Sequence, residues 1–287
     1  MKQEFLSEEE DISKEVLGIT LSTMKAPQNI ISETVSGISE LYPNSTIVIS
    51  MNDRAGPELW ETANHVATQI SDSVSVCVTT NTKYESSEIP PENIFRHTLE
   101  GDRSALIYLN GFQVCLRNPM IEKIVEIDLG GSMNWQQIPE FIKALDKTQI
   151  ALSTRVMSSG GRMVNTPIQR RLLSQIGTTL SNVFLLWPKH NASDMTSGFE
   201  AFRANVVSDL FERISPEQWV CVQQNAGHLF QTEMRAYLYW LGYDISWIPI
   251  TFGQNKAGKS ITDIDYLYRN LVGLLMLMKR RNSDIFK

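Results

Sequence analysis

Residues 16–50 read VLGITLSTMKAPQNIISETVSGISELYPNSTIVIS, and this stretch decides the fold. The apolar and β-branched residues at 16–21 and 46–50 predict two strands, and apolar residues at helical spacing over 30–41 predict a helix between them. A strand, a helix and a strand that follow each other at this spacing form a parallel βαβ unit. The stretch therefore predicts an α/β protein.

The alternation of strands and helices continues beyond residue 50. Further helices are predicted at 60–70, 104–114 and 135–145, and further strands at 74–79 and 123–128. Such alternation predicts an open, mostly parallel sheet with helices on both faces. At 287 residues the chain is long enough for one large α/β domain, which is the organisation we expect.

The charge and the cysteines limit the classes of partner and site. A formal net charge of −6 gives no overall attraction to nucleic acid or anionic lipid, so a phosphate-bearing partner needs a local basic pocket. The three cysteines, Cys77, Cys115 and Cys221, form no CxxC pair, which argues against a disulfide framework and against a zinc site. These features are typical of a protein in a reducing cytoplasm.

The apolar segments bear on membrane attachment. The first residues are acidic and lack the apolar core of a signal peptide. The longest apolar run, residues 271–278, is far shorter than the roughly twenty residues that span a bilayer. We therefore expect a cytoplasmic protein that is soluble or peripheral to the membrane. A helix over 267–278 has two alternative positions, on a membrane surface or packed against the core.

Two carboxylates end the strand predicted at 123–128. Glu126 and Asp128 are two residues apart, so in a strand they face the same side. Ligands of open parallel sheets bind at the carboxyl ends of the strands, where these acids fall and where Asp53 follows the second strand. The pair suits Mg²⁺ or Mn²⁺ bridging a diphosphate, although two acids at a strand end are also common as solvated charge.

The motif Asp194-Met-Thr-Ser-Gly-Phe199 is the most informative one for function. Gly198 permits close approach of the backbone, Phe199 anchors the segment, and Thr196 and Ser197 offer hydroxyl groups to a ligand. Asp194 has two alternative roles. It orders arginines if the ligand is a phosphate, which is already ionised, or it removes a proton if the ligand reacts through a hydroxyl group.

A second group of polar residues lies upstream of this motif. Arg170 and Ser174 are four residues apart on a predicted helix and so share one face. A guanidinium and a hydroxyl group together make a good cradle for an oxyanion. The alternative is a solvated helix face with Ser174 as a packing residue. The nearby Arg155 and the Asp194 motif favour the cradle.

In their order and spacing these motifs resemble the polyprenyl-phosphate branch of the family 2 glycosyltransferases, the branch of dolichol-phosphate mannose synthase. The resemblance is good over roughly the C-terminal two thirds of the chain and poor before it. It includes the segments Phe230-Gln-Thr-Glu-Met234, Ile248-Pro-Ile-Thr-Phe252 and Gly258-Lys-Ser260. It implies a single GT-A-type nucleotide-sugar-binding domain over residues 1–287, with a donor and metal half at 1–150, an acceptor half at 151–262 and a C-terminal helix at 263–287.

The resemblance also implies roles for individual residues. The metal would bind to Glu126 and Asp128, and the sugar to Glu233. The donor would bind to Asp53, Glu126, Asp128, Lys256 and Lys259. The acceptor phosphate would bind to Arg155, Arg170, Ser174, Thr196 and Ser197. Asp194 and Asp128 would be the catalytic residues.

The sequence departs from the family pattern at the donor end. Glu126 stands where the family has Asp, and the family's Asp-Asp-Gly-Ser after the second strand is missing. Asp53 or Asn52 would take over its contact, and the alternative is an ordinary turn with an Asx cap. In the closing loop Asn255 replaces the family's Arg, and Lys256 and Lys259 are close enough to restore its charge. The identity of the nucleotide-sugar donor is therefore the least defined part of what the resemblance implies.

The activity implied by the resemblance is that of an inverting, metal-dependent glycosyltransferase. It would move a sugar from a nucleotide sugar to a polyprenyl phosphate. One alternative keeps the reaction and takes the hydroxyl group of hydroxymethylcytosine in DNA as acceptor, with glucose or arabinose as the sugar. A third alternative is a non-catalytic homologue that binds a nucleotide.

Overall fold

The computed structural model describes residues 15–23, 25–80, 89–97, 104–253 and 264–286. Its strands are β1 (Leu17–Ser22), β2 (Thr46–Asn52), β3 (Val74–Thr80), β4 (Ile94–Arg96), β5 (Lys123–Asp128), β6 (Ile150–Thr154), β7 (Arg162–Met163), β8 (Phe199–Arg203), β9 (Ile245–Pro249) and β10 (Thr251–Phe252). Its α-helices are α1 (Gln28–Leu41), α2 (Pro57–Ile70), α3 (Ser104–Leu116), α4 (Ile138–Ala144), α5 (Ile168–Ser181), α6 (Ala204–Arg213), α7 (Val220–Gln223), α8 (Phe230–Trp240) and α9 (Ile264–Arg280).

Eight of these strands form one sheet in the order β4-β3-β2-β1-β5-β8-β6-β9. Every neighbouring pair is parallel except the two that β8 makes with β5 and β6. β7 and β10 pair in parallel as a separate two-stranded sheet. The prediction of an α/β fold with a mostly parallel sheet is confirmed. The division into a donor half and an acceptor half stays a prediction.

Two apolar cores lie on opposite faces of the sheet. Neighbouring residues of a strand point to opposite faces, so Ile124 of β5 belongs to one core and Val125 to the other. Helices α1, α2 and α4 cover the face of Val125, and α3, α6 and α8 cover the face of Ile124. The prediction of helices on both faces is therefore confirmed.

The element boundaries differ from the sequence prediction by a few residues. The second strand continues beyond residue 50 to Asn52. The helix predicted over 135–145 begins with a 3₁₀ turn, Trp135–Gln137, because the side chain of Asn134 accepts the backbone N–H of Gln136 and caps that turn. α5 continues beyond its last residue into a π-helical turn, Asn182–Leu186.

The C-terminal helix α9 packs against the core through Leu274 and Leu277, which are buried. This confirms the second of its two predicted positions. Its other side exposes Leu271 and Leu275. Among the described residues, every helix falls short of the length and hydropathy needed to cross a bilayer.

Candidate active site

The carboxyl ends of β2, β5 and β6 lie at one edge of the sheet, because these strands run in the same direction. Asp53 follows β2, Asp128 ends β5 and Arg155 follows β6. β8 runs the opposite way, so the motif that begins at Asp194 and precedes β8 starts from the same edge. The sheet thus brings together residues that the sequence separates by more than a hundred positions.

The strongest contact of the site is an ion pair between Arg155 and Asp194. The guanidinium donates from Nε to Asp194 Oδ2 at 2.8 Å and from Nη2 to Asp194 Oδ1 at 2.9 Å. The same Nη2 also lies 2.9 Å from Ser174 Oγ and 2.6 Å from Thr196 Oγ1. Backbone N–H groups of Arg155 and Thr196 donate to the same carboxylate. Arg155, Ser174 and Thr196, all predicted to bind the acceptor phosphate, are therefore in direct contact.

The charge of Asp194 follows from these partners. Burial raises the pKa of its carboxyl, but the Arg155 charge and its hydrogen bonds outweigh burial and lower the pKa to about 2. A carboxylate with so low a pKa, whose oxygens are already engaged, is a poor proton acceptor. The geometry therefore suits the role of ordering Arg155 rather than that of a general base.

Helix α5 holds the Asp194 motif in place through a polar stripe. Ser174 Oγ lies 2.9 Å from Thr196 Oγ1, and Thr178 Oγ1 accepts the backbone N–H of Met195 at 3.1 Å. One turn further, the Asn182 side chain bonds both backbone groups of Ala192. These three polar side chains are spaced four residues apart, so they share one face of the helix.

Arg170 begins this polar stripe and lies over the same aromatic ring as Arg155. The guanidinium carbon of Arg155 lies 5.2 Å from the centre of the Phe252 ring, and that of Arg170 lies 5.4 Å from it. Burial, and then repulsion from Arg155, lower the pKa of Arg170. The two guanidinium groups thus lie close together beside hydroxyl groups, which is the arrangement that the predicted anion cradle requires. The binding of a phosphate there stays a prediction.

The part of this edge that is predicted to bind the donor, called the donor side below, is built around Asp128. Its Oδ1 accepts a hydrogen bond from Tyr108 Oη at 2.8 Å. A Cβ at Gly198 would lie 2.7 Å from its Oδ2, so only glycine allows the Asp194 motif to pass this close. Burial raises the pKa of Asp128 to about 6, although Tyr108, Arg170 and Arg155 lower it. Gly198 belongs to the Asp194 motif, so its close approach brings Asp128 next to that motif.

Glu126 lies deeper than the metal prediction requires. Its side chain is fully buried, and neither of its carboxylate oxygens has a hydrogen-bond partner. It stands opposite Glu200 in the β5–β8 ladder, and burial with the nearby Asp128 and Glu200 raises its pKa well above the usual range. The shared face predicted for Glu126 and Asp128 is present, but only Asp128 retains exposed surface.

The residues at this edge fit a divalent ion in a limited way. The described residues contain no cluster of three or more His, Cys, Asp or Glu side chains arranged to hold a metal. Mg²⁺, however, is usually held by one or two carboxylates together with substrate phosphates. Asp128 supplies one such carboxylate, and the unpartnered oxygens of Glu126 lie behind it.

Three contributors to this site carry no motif in the sequence: Tyr108, Glu200 and Arg235. Arg235 is fully buried, and it donates to Glu200 Oε1 at 2.8 Å, to the carbonyl of Ser197 at 2.9 Å and to the carbonyl of Asp194. It therefore fixes both ends of the turn that carries Thr196. The one available signal is a charged residue inside an apolar run, as Glu200 and Arg235 both are.

The prediction that Glu233 binds the sugar is not supported by its position. Its two oxygens accept the backbone N–H groups of Val220 and Cys221, each at 2.7 Å, and Tyr237 donates to it as well. The side chain is fully buried and caps the first turn of α7, so no face is left for a ligand.

Four predicted site residues remain, three for the donor and Ser197 for the acceptor phosphate. Asp53 lies at the expected edge and accepts a hydrogen bond from Thr80 Oγ1 at 3.3 Å. Ser197 is buried, and its Oγ accepts a hydrogen bond from Ser153 at 2.5 Å, so its hydroxyl group lies inside the fold. Lys256 and Lys259 lie outside the described residues.

Comparison with known proteins places the fold among glycosyltransferases. No family model matches the chain. An undecaprenyl-phosphate mannosyltransferase of Micrococcus luteus is 27% identical over 176 residues, which are 61% of this chain and 66% of that protein. The match therefore spans slightly less than two thirds of the relative's length.

Solved structures agree over nearly the whole chain. Glucosyl-3-phosphoglycerate synthase of Mycobacterium tuberculosis, with Mn²⁺, UDP and phosphoglyceric acid, has a TM-score of 0.57 at 12% identity, covering 96% of this chain and 82% of that one. The same enzyme with Mn²⁺, UDP-glucose and phosphoglyceric acid has a TM-score of 0.53 at 12% identity, covering 96% and 84%.

The comparisons define the fold: the chain has the GT-A fold of these solved glycosyltransferases. Its sequence is similar to that of a glycosyltransferase. The resemblance to the family 2 glycosyltransferases that the motifs indicate is confirmed.

Proposed function

We propose that this protein is a glycosyltransferase that moves a sugar from a nucleotide sugar to a lipid-linked phosphate of the polyprenyl phosphate class, with inversion at the anomeric carbon. The observation that carries this proposal is the ion pair between Arg155 and Asp194 beside Ser174, Thr196 and Arg170. Asp194 balances one of the two guanidinium charges, so one positive charge beside the hydroxyl groups is left to receive an anion. The undecaprenyl-phosphate mannosyltransferase among the relatives supports a lipid phosphate as that anion.

In the proposed reaction a phosphate oxygen of the acceptor attacks the anomeric carbon of the sugar. A new bond forms between them, and the bond from that carbon to the donor diphosphate breaks, with its electrons leaving on the nucleoside diphosphate. The acceptor is already ionised, so no general base is needed. Arg155 and Arg170 hold the attacking phosphate, and Asp194 keeps Arg155 in place.

Asp128 would hold Mg²⁺ or Mn²⁺ at the donor side, with Glu126 behind it. Such an ion neutralises charge on a departing diphosphate. Solved structures of the same fold that contain Mn²⁺ with UDP or UDP-glucose support this choice. Asp53 would contact the nucleoside, and Lys256 and Lys259 the diphosphate.

Two other functions receive less support. A hydroxyl group of modified DNA would need a base, and the pKa of Asp194, about 2, makes it unsuited to that role. The names of the relatives lend the DNA acceptor no support. A non-catalytic homologue is not favoured either, because the relatives are glycosyltransferases.

The test is a transfer assay with three kinds of acceptor. Purified protein with Mn²⁺ and a panel of radiolabelled nucleotide sugars is given undecaprenyl phosphate, undecaprenol or hydroxymethylated DNA. We expect label in the organic phase with undecaprenyl phosphate alone. Label on DNA, or transfer to undecaprenol at an equal rate, would contradict the proposal. Arg213→Gln, at an exposed pair on α6, is the matched control for Arg170→Gln in this assay.

A further inference from the structure

The aromatic ring of Phe252 contacts both guanidinium groups of the acceptor side. The guanidinium carbon of Arg155 lies 5.2 Å from the ring centre, and that of Arg170 lies 5.4 Å from it. Both distances are within the roughly 6 Å over which a cation is attracted to the negative face of a ring. One ring therefore contacts both charges to which the proposed function assigns the acceptor phosphate.

The two arginines differ in what else holds them. The Arg155 guanidinium pairs with Asp194 and also lies within hydrogen-bond distance of Ser174 and Thr196. In the described part of the chain, no hydrogen bond or ion pair is formed by the Arg170 guanidinium. Asp128 attracts its charge without pairing with it. The Phe252 ring is therefore the contact that can fix where the Arg170 guanidinium lies.

Repulsion between the two arginines makes such a contact necessary. Burial, and then the charge of Arg155, lower the pKa of Arg170. Like charges in a partly buried site repel each other, so an unsupported Arg170 side chain would turn away from Arg155 toward water. The contact with the ring opposes this movement.

An aromatic ring holds a guanidinium in a different way from a carboxylate. A carboxylate accepts hydrogen bonds from the N–H groups, as Asp194 does from Arg155. A ring attracts the charge through its face and accepts none of the five N–H donors in the guanidinium plane. An arginine held by a ring therefore keeps its donors for a phosphate.

The ring is itself held in place by the backbone around it. Phe252 is 3% exposed, and its carbonyl group accepts the backbone N–H of Val164 at 2.8 Å, beside β7. The next residue, Gly253, donates its backbone N–H to the carbonyl group of Ser132 at 2.7 Å. A side chain fixed in this way is a preorganised support for a binding residue.

From these contacts we propose that Phe252 is a positioning residue of the acceptor site, whose ring face holds the Arg170 guanidinium near Arg155 with its N–H groups available to the phosphate. The inference rests on the proposed function, because it gives the arrangement of the two arginines a physical cause. It assigns Phe252 a role through the charge distribution of its ring, whereas an ordinary core residue acts through its size.

Fluorination of the ring tests this role, because fluorine weakens the negative face with little change in size. Phe252 is replaced by mono-, di- and trifluorinated phenylalanine, and transfer to a short-chain prenyl phosphate is measured. We expect the KM for this acceptor to rise stepwise, up to about fivefold in the trifluorinated protein. The kcat and the KM for the nucleotide sugar should stay unchanged.

Two controls isolate the contact with Arg170. Trifluorination of Phe95 is the matched control, because Arg117 lies 5.0 Å from the centre of this ring on β4, and all three constants should stay unchanged. In Arg170→Gln, trifluorination of Phe252 should raise the acceptor KM less than about twofold, because Arg155 keeps its hydrogen bonds.

Two results would overturn the inference. The first is an acceptor KM that is the same across the fluorinated series. The second is an equal rise in that KM with and without Arg170, since the ring would then act through packing. Thermal unfolding checks that the fluorinated proteins fold like the wild type.

Binding of inorganic phosphate, measured by titration calorimetry, separates this inference from the proposed function. If fluorination of Phe252 weakens phosphate binding but no prenyl phosphate accepts sugar, the proposed function is wrong and the role of Phe252 stands. If transfer occurs with the same acceptor KM in every fluorinated protein, the role of Phe252 is wrong and the proposed function stands. Wild-type protein that neither binds phosphate nor transfers sugar would contradict both.

Discussion

The pKa values of buried carboxyl groups shift in opposite directions on the two sides of the site. On the acceptor side, Asp194 is paired with Arg155 and its pKa falls to about 2. On the donor side, burial dominates and raises the pKa of Asp128 to about 6, and it raises that of Glu126 well above its usual range. The charge of Arg235 lowers the pKa of both Glu126 and Glu200, but its guanidinium is already bonded to Glu200.

This difference indicates what each side needs from a ligand. On the proposed acceptor side, two guanidinium groups accompany one ionised carboxylate, so one positive charge is left for an anion. The donor side has more buried carboxylate than positive charge, so a cation would relieve it. A divalent ion brought with a nucleoside diphosphate supplies that charge.

The largest effect is expected when the ion pair between Arg155 and Asp194 is removed. Asp194→Asn keeps the shape of the side chain but leaves the Arg155 charge buried without its partner. We expect a loss of about 3 kcal/mol in the free energy of unfolding at pH 7, measured by urea denaturation. The control is Asp209→Asn on α6, whose partly exposed pair with Arg213 should contribute less than about 1 kcal/mol.

The pH dependence of this loss has a definite sign. The folded pKa of Asp194, about 2, lies below the usual unfolded value, so its stabilisation is present above about pH 4 and disappears as the pH falls toward 2. Wild type and Asp194→Asn should therefore converge in stability over that window. A constant difference down to pH 2 would show that Asp194 is not held by its charge.

The next effect separates the two donor-side acids. Asp128→Asn removes the exposed carboxylate and should lower kcat/KM for transfer by at least about a hundredfold. Glu126→Gln should cost less than about threefold, because the Glu126 side chain is fully buried and lies behind Asp128. Equal losses in the two variants would mean that both acids bind the ion.

A smaller effect is expected at the acceptor cradle. Arg170→Gln removes one of the two guanidinium groups above Phe252 and should raise KM for the lipid phosphate about tenfold. The KM for the nucleotide sugar should hardly change. If the donor KM rises instead, Arg170 belongs to the donor side.

The fold follows from the sequence more readily than the site does. The strand at residues 123–128 is predicted in full, since an apolar run with β-branched residues, bounded by turns, has few alternatives. The position of Arg155 beside Asp194 also agrees with the motifs. The hydrogen bonds from Arg235 to the carbonyl groups of Asp194 and Ser197 could not be predicted, because only the folded turn brings these groups within reach.

Glu126 and Glu233 show what a motif does not specify. A motif gives the residue type and the strand or helix, but not how deep the side chain lies. Glu126 is one methylene longer than Asp and lies in a fully buried position opposite Glu200. Glu233 is on the predicted helix, yet it turns to cap α7. Both outcomes depend on packing between elements distant in sequence.

The smallest effect is a gain in stability on the donor side. The folded pKa of Asp128, about 6, lies above the usual unfolded value, so its contribution is favourable below about pH 4 and is lost as the pH rises through 6. Asp128→Asn should therefore be more stable than the wild type at pH 7.5, by about 1 kcal/mol, and no more stable at pH 4. Thermal unfolding at the two pH values measures this difference.

The most direct test of the contrast between the two sides is the binding of Mn²⁺ in the presence of UDP, followed by electron paramagnetic resonance at pH 7.5. The free-ion signal corrects for Mn²⁺ bound by UDP alone. We predict that wild type and Arg170→Gln bind the ion and that Asp128→Asn does not. Retained binding in Asp128→Asn, or its loss in Arg170→Gln, would contradict a donor side built on Asp128 and an acceptor side built on arginine.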